Sequence, residues 1–465
     1  MKNKISIIFI SAALFSLLGG IVFGTIGAMQ FVYPEFLKSI PFFKVRPLHV
    51  TLVVTWIFFS AVGGIYYYLP KFSGLQWKWK KAPVLHFVLF ITTGIAILGC
   101  YFAGKFGGRE YWEFPPLLAI PIIVSWLLFG LNYFQTVFSK KGKWPVYLWM
   151  WATGIFFFLF TFIESYLWLL PYFRDNIVKD MTIQWKAYGA LTGSWNMLVY
   201  GTAIFVMERI SGDEKIALSK LSFSMYFLGL TNLLFGWSHH IYTLPVAPWV
   251  RYLGYAISMT ELIILARLIW NWRTDMSEAK KRIHFLPGRF MMAADVWIFL
   301  NLFVALLISI PAVNIYTHGT HVTVAHAMGS TIGINTMILL SSCFYILWDI
   351  RGRREENKTG MIVGFWLVQI CLGVFWVSLL AAGVHKGILV VENKMSFQEI
   401  MNTISGYLKV FAFSGAGIFC GLSIILYPLV KGFLSAVFQR EPKIKNMVPK
   451  KPAETITIDS LKKTA

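Results

Sequence analysis

Nine histidines in a chain of 465 residues give the first chemical signal. His239 and His240 are adjacent, His318, His321 and His326 follow one another closely, and His49 and His385 stand alone. Neutral imidazole is the commonest protein ligand for haem iron and other transition metals, so clustered histidines point to metal or haem chemistry. Cys100, Cys343, Cys371 and Cys420 form no C-x-x-C pair. That spacing excludes a disulfide framework, a zinc knuckle and a C-x-x-C-H site for covalent haem.

The elements that must carry these residues are membrane helices. The chain is 57% hydrophobic and 14% charged, against about a quarter charged in soluble domains. Apolar runs long enough to cross a hydrocarbon core of ~30 Å recur throughout. Twelve spans are expected, at 5–32, 48–69, 83–103, 115–138, 145–171, 184–208, 216–244, 249–271, 289–311, 320–350, 360–385 and 404–435. The expected fold is all-α, a twelve-helix transmembrane bundle over residues 1–438. A basic, Lys- and Pro-rich tail at 439–465 reads as disordered. Lys2 and Lys4 before the first apolar run resemble a signal peptide, but the run is too long and lacks a small-x-small cleavage site, so it reads as a retained helix.

The net charge of +21 does not indicate nucleic acid, because the basic residues sit in short loops and the tail. With a cytoplasmic N-terminus, most of them fall inside: Lys78, Lys80, Lys81, Lys140, Lys141, Lys280, Lys281, Arg282, Arg351, Arg353 and Arg354. The loops Pro245–Pro248 and Ala312–Gly319 on the other side carry none. By the positive-inside rule both termini are cytoplasmic and the protein is a multi-pass protein of a bacterial inner membrane. In that orientation His49, His239, His240, His318, His321, His326 and His385 share the outer level, and only His86 and His284 lie inside. Ionisable groups at membrane depth are costly and usually face a bundle interior where they serve a site. A haem held there is within reach of a donor outside.

At these residues the sequence resembles the large subunit of bacterial nitric oxide reductase, in the haem–copper oxidase superfamily. The resemblance runs through Arg46-Pro-Leu-His49, Gly63-Gly64-Ile-Tyr66-Tyr67-Tyr68-Leu-Pro70 and Gly108-Arg109-Glu110-Tyr-Trp-Glu113. It continues in Gly236-Trp-Ser-His239-His240-Ile-Tyr242 and in Thr317-His318-Gly319-Thr320 followed by Ala325-His326. It implies a twelve-helix bundle of the oxidase subunit I type and two haem b groups. His326 would be the proximal ligand of the high-spin haem and His49 an axial ligand of the low-spin haem. His239 and His240 would be ligands of a non-haem iron or copper. Glu110 would bind calcium near the haem propionates, and Glu261 would be a buried acid beside the non-haem metal. Glu261 stands about 12 residues into its span, some ~18 Å along the helix axis, where a carboxylate needs a partner or a proton.

Four positions depart from the family pattern. Where a second low-spin haem ligand is expected, two residues after His326, the chain has Met328. Residues two apart on a helix face roughly opposite ways, as a helix sandwiched between two haems requires. A thioether can ligate haem iron, so Met328 reads either as that ligand or as packing beside a five-coordinate haem. Counting back without gaps puts Tyr188 where the first non-haem metal ligand belongs, and Thr192 and Asn196 replace the family's glutamates. Tyr188, Glu261 or water would have to complete the metal's shell. A phenolate binds only if its pKa near ~10 is strongly lowered.

Three functions follow. The first is a respiratory oxidoreductase that reduces nitric oxide to nitrous oxide, or oxygen, with electrons from a cytochrome c-type subunit or soluble donor, Glu261 and Tyr188 being its candidate catalytic residues. The second keeps the fold with altered nitrogen-oxide chemistry, or with an electron-transfer or sensing role that lacks a standard binuclear centre. The third, a secondary transporter, leaves the histidine layer unexplained and calls for repeat symmetry the sequence does not display.

Overall fold

A computed structural model describes residues 4–275, 285–352, 358–392 and 395–438. Within these, the side chains at 260–266, 268–269, 271–275, 285 and 358 lie outside the described set. The tail at 439–465 and His284 also lie outside it.

The described chain is helical, its only β-type pairing an isolated bridge between Arg109 and Trp112. The long helices are α1 Lys4–Val32, α2 Phe42–Phe72, α3 Ala82–Phe102, α4 Ala119–Val137, α5 Val146–Glu164 and α6 Ile177–Ser211. They continue as α7 Lys220–Phe235, α8 Pro248–Asp275, α9 Phe285–Ser309, α10 His321–Arg351, α11 Lys358–Glu392 and α12 Ser405–Phe438. Ten helices among the described residues are long and apolar enough to cross a membrane, and α7 and α8 fall short of that standard. The protein is a multi-pass membrane protein. Lipid cannot satisfy a bare backbone, so apolar runs of this length fold as helices that close their own hydrogen bonds.

Close helix packing rests on small residues, as it does wherever lipid removes the hydrophobic drive between helices. Gly20 of α1 meets Val53 of α2, and Gly421 of α12 meets Val368 of α11. A seam of polar rungs joins α2 to α10. Trp56 donates to Thr336 at 3.1 Å, Ser60 shares a contact with Cys343 at 3.6 Å, and Tyr68 bonds Ser342 at 2.6 Å. Tyr67 and Lys71 close the seam on Asp349. Tyr66 turns to α3 and bonds His86 at 3.0 Å, in a wall that includes Phe9, Phe90 and Phe129. His86 is therefore a satisfied core histidine.

Two elements differ from the sequence expectation. The run expected at 216–244 is helical over Lys220–Phe235 and tightens into a 3-10 stretch at Gly236–Ile241. The tightening brings His239 and His240 off the α-helical spiral. α10 has a π-helical insert at Gly329–Thr336, where Thr336 Oγ1 donates to the Thr331 carbonyl at 2.8 Å. Such inserts are rare and concentrate at functional sites.

Candidate functional site

The site is assembled from α2, α6, the 3-10 stretch and α10. His49 Nδ1 lies 2.7 Å from the Gly20 carbonyl of α1. A carbonyl can only accept, so Nδ1 carries the proton and Nε2 keeps its lone pair. A hydrogen bond on the far ring nitrogen is what fixes the tautomer of metal-binding histidines. Gly24 makes room for the ring: a Cβ there would stand 2.7 Å from His49 Cε1.

His239 and His240 lie side by side with ring centroids 4.3 Å apart. The imidazoles of His318 and His326 belong to the same neighbourhood, close enough for charges on the rings to repel. Glycines on both flanking helices seat the 3-10 stretch. A Cβ on Gly189 of α6 would meet Trp237 Cβ at 2.6 Å, and one on Gly254 of α8 would collide with Ser238. Among the described residues the buried Nδ1 of His239 has no hydrogen-bond partner, and His326 lies against the Asn301 backbone. Met328 is partly buried, packed against the apolar core.

α6 presents Trp185 and Gly189 to the histidine pair. The Trp185 indole lies flat on His240, centroids 5.6 Å apart and planes 10° apart, and meets His318 edge-on at 6.2 Å. Tyr188 turns elsewhere: its ring packs edge-on against Tyr111 at 5.2 Å, and its buried hydroxyl has no partner. Thr192 donates to the Tyr188 carbonyl at 3.0 Å, and Asn196 accepts from Asn335 at 3.4 Å. Amide and hydroxyl thus occupy α6 where the resemblance leads one to expect carboxylates. Glu261 is on α8, and its side chain lies outside the described residues.

Glu110 and Glu113 share one cation. Arg46 donates to Glu113 at 2.9 Å and also pairs with Glu110. Burial lifts the Glu113 carboxyl above its ordinary range, with Arg46 pulling the other way. Next to them Arg109 pairs with Asp180 at 2.6 Å and lies over the Trp168 ring. Glu164, at the end of α5, pairs with Lys186 of α6. His321 and His385 are used in packing, edge-on to Phe31 and Tyr407 respectively.

The residues fit haem better than they fit a separate metal. His49 offers a free Nε2 in a fixed ring, and His326 offers a buried imidazole beside the Asn301 backbone. Among the described residues no three His, Cys, Asp or Glu side chains gather where a metal ion could sit. His239 and His240 supply two donors, and the indole of Trp185 covers one face of the second. At Glu110 the Arg46 guanidinium already occupies both carboxylates, and the described residues form no calcium cradle there. Sequence reasoning missed Trp185 and Gly24. The available signal was the helical run Trp185, Gly189, Gly193 facing Trp237 and Leu233 at one-turn spacing.

Residues 4–417 match the family model described as cytochrome C and quinol oxidase polypeptide I. The chain is 25% identical to a nitric oxide reductase subunit of Stutzerimonas stutzeri, over 89% of this chain and 92% of that protein. It is 21% identical to cytochrome c oxidase subunit 1 of Rhodobacter capsulatus, over 94% of this chain and 85% of that protein. In three dimensions it is similar to a heme-copper terminal oxidase solved as a dimer, with TM-score 0.76 and 14% identity, covering 93% of this chain and 85% of that one.

Proposed function

The chain belongs to the cytochrome c and quinol oxidase polypeptide I family, and from that footing we propose that it is the haem-bearing subunit of a respiratory oxidoreductase acting on nitric oxide or oxygen. The observation that carries this reading is the fixed His49 imidazole, with its free Nε2, together with the gathering of His239, His240 and His326. His49 and Met328 would hold a low-spin haem b, and His326 a high-spin haem b. When bound, these groups supply electron storage and an iron atom that takes up a diatomic molecule. The chain's own residues do the rest. His239 and His240 stand side by side near His326, Trp185 lies flat on His240, and Glu261, whose side chain is outside the described residues, is the proposed proton carrier. Electrons arrive from a cytochrome c-type subunit or soluble donor. The Stutzerimonas stutzeri relative, a nitric oxide reductase by name, favours nitric oxide as substrate.

The reading includes a twelve-span membrane domain over 1–438, in which α7 and α8 also cross, and a cytoplasmic tail at 439–465. The lysine-rich loops support an inner-membrane protein with both termini inside. Reduced-minus-oxidised spectra of the purified protein should reveal low-spin and high-spin haem b. A colourless preparation from haem-replete cells would falsify the proposal.

One observation favours a second reading. Trp185 and Gly189, not Tyr188, face the histidine pair, so the described residues there do not make a non-haem iron or copper site by themselves. The chain would then carry altered nitrogen-oxide chemistry, or an electron-transfer or sensing role without a binuclear centre. The ratio of total iron and copper to haem decides. A ratio of one metal per haem supports this second reading, and a further metal ion per chain supports the first.

A further inference from the structure

On the face where α4 ends and α5 begins, the loop after Phe138 meets the turn that leads into α7. Between them is an open cavity of about 540 Å³, lined by Gly142, Lys143, Trp144, Trp149, Leu218 and Phe223. It lies at the opposite end of α7 from the 3-10 stretch that carries His239 and His240, and nothing in the proposed reaction uses it.

Three independent features converge on one class of ligand. First, the rim is basic. Lys143 lines it, Lys140 and Lys141 precede it on the same loop, and Lys215 and Lys220 flank Leu218 on the opposing turn, against Asp213 and Glu214. None of the five ammonium groups has an ion-pair partner among the described residues. Second, the wall is aromatic and graded. Phe138 stacks on Trp144 at 5.7 Å and Trp144 packs on Trp149 at 4.9 Å. Phe138, Trp149 and Leu218 are exposed. Indole rings at a span end sit at headgroup level, with their apolar body toward acyl chains. Third, α5 starts here from Pro145 without a side-chain cap, so its first N–H groups and the positive end of its dipole face the same place.

We infer that this cavity is a headgroup site for an anionic phospholipid. The phosphate lies among Lys143, its neighbouring lysines and the α5 N-terminus, and an acyl chain runs along Trp149, Leu218 and Phe223. Basic pockets between helices at the lysine-rich membrane face are the arrangement that selects anionic lipid. A zwitterionic lipid would bring a second positive group against the lysines and loses by comparison.

The test uses the purified protein with whatever subunits accompany it, titrated in mild detergent with phosphatidylglycerol or phosphatidylcholine and read by native mass spectrometry. The parent should retain phosphatidylglycerol about tenfold better than phosphatidylcholine. A Lys140→Gln, Lys141→Gln, Lys143→Gln, Lys220→Gln variant should bring that ratio close to one, with gel-filtration behaviour and spectrum unchanged. Brominated phosphatidylglycerol should quench tryptophan emission in the parent and less in a Trp144→Phe, Trp149→Phe variant. The proposal is overturned if the quadruple variant keeps its selectivity, or if quenching is the same in both proteins. It is also overturned if the four lysines are shielded from amine labelling in delipidated protein, because a protein subunit then fills the cavity.

Discussion

His49 is held at two points, by its bond to the Gly20 carbonyl and by the space left at Gly24. Its position is therefore sensitive to a residue it does not bond. Gly24→Val should lower the low-spin signal in reduced spectra severalfold and leave the high-spin signal in place, because only the His49 ring is displaced. His326→Ala should do the reverse. A Gly24→Val protein with an unchanged low-spin band would show that His49 is not an axial ligand. Glu113 allows a pH test. A carboxyl raised by burial holds its proton more readily in the folded chain than in the unfolded one, so it subtracts stability as pH climbs from the ordinary Glu value through the folded value. Glu113→Gln should flatten that part of the profile, on the alkaline side of the ordinary Glu range near about pH 4. The change at neutral pH should stay under about 1 kcal/mol, since Arg46 keeps Glu110. Thermal inactivation measured across that range checks both statements. The sequence made the histidines legible through residue type and depth. It did not reveal that Tyr188 faces Tyr111 while Trp185 faces His240, because gapless counting along a helix cannot fix rotation to within one residue in either direction.

Helix α10 takes its position from α11. A Cβ on Gly383 would collide with the Val322 backbone, and one on Gly387 with the Tyr316 carbonyl, so two glycines one turn apart seat the segment that launches α10. His326 and Met328 follow directly from that launch point. Gly383→Ala should push the segment outward at a cost of about 1–3 kcal/mol. It should also reduce high-spin haem occupancy, read from pyridine haemochrome content per chain. Unchanged occupancy would mean that the launch segment tolerates movement. Long apolar runs made most helices legible, since composition alone decides them. The 3-10 stretch at Gly236–Ile241 and the π-helical insert at Gly329–Thr336 were not legible. Both depend on tertiary neighbours: Ser238 seated against Gly254, and Thr336 tied to Trp56 across the bundle.

Across the whole molecule, sidedness follows from where lysine and arginine fall, and parity follows from α7 and α8. If both helices cross, the two termini share one side; if only one crosses, they do not. A fluorescent-protein fusion at the C-terminus should glow and an alkaline phosphatase fusion there should be inactive, with the opposite pattern for a fusion in the Pro245–Pro248 loop. Phosphatase activity at the C-terminus would remove the twelve-span reading. The His49–Gly20 bond also bears on biosynthesis. Both partners belong to α1 and α2, consecutive helices joined by a short loop, and such local contacts form early. That hairpin by itself orients the His49 ring and leaves Nε2 bare, so on the proposed reading capture of a porphyrin needs only α1 and α2 to have packed.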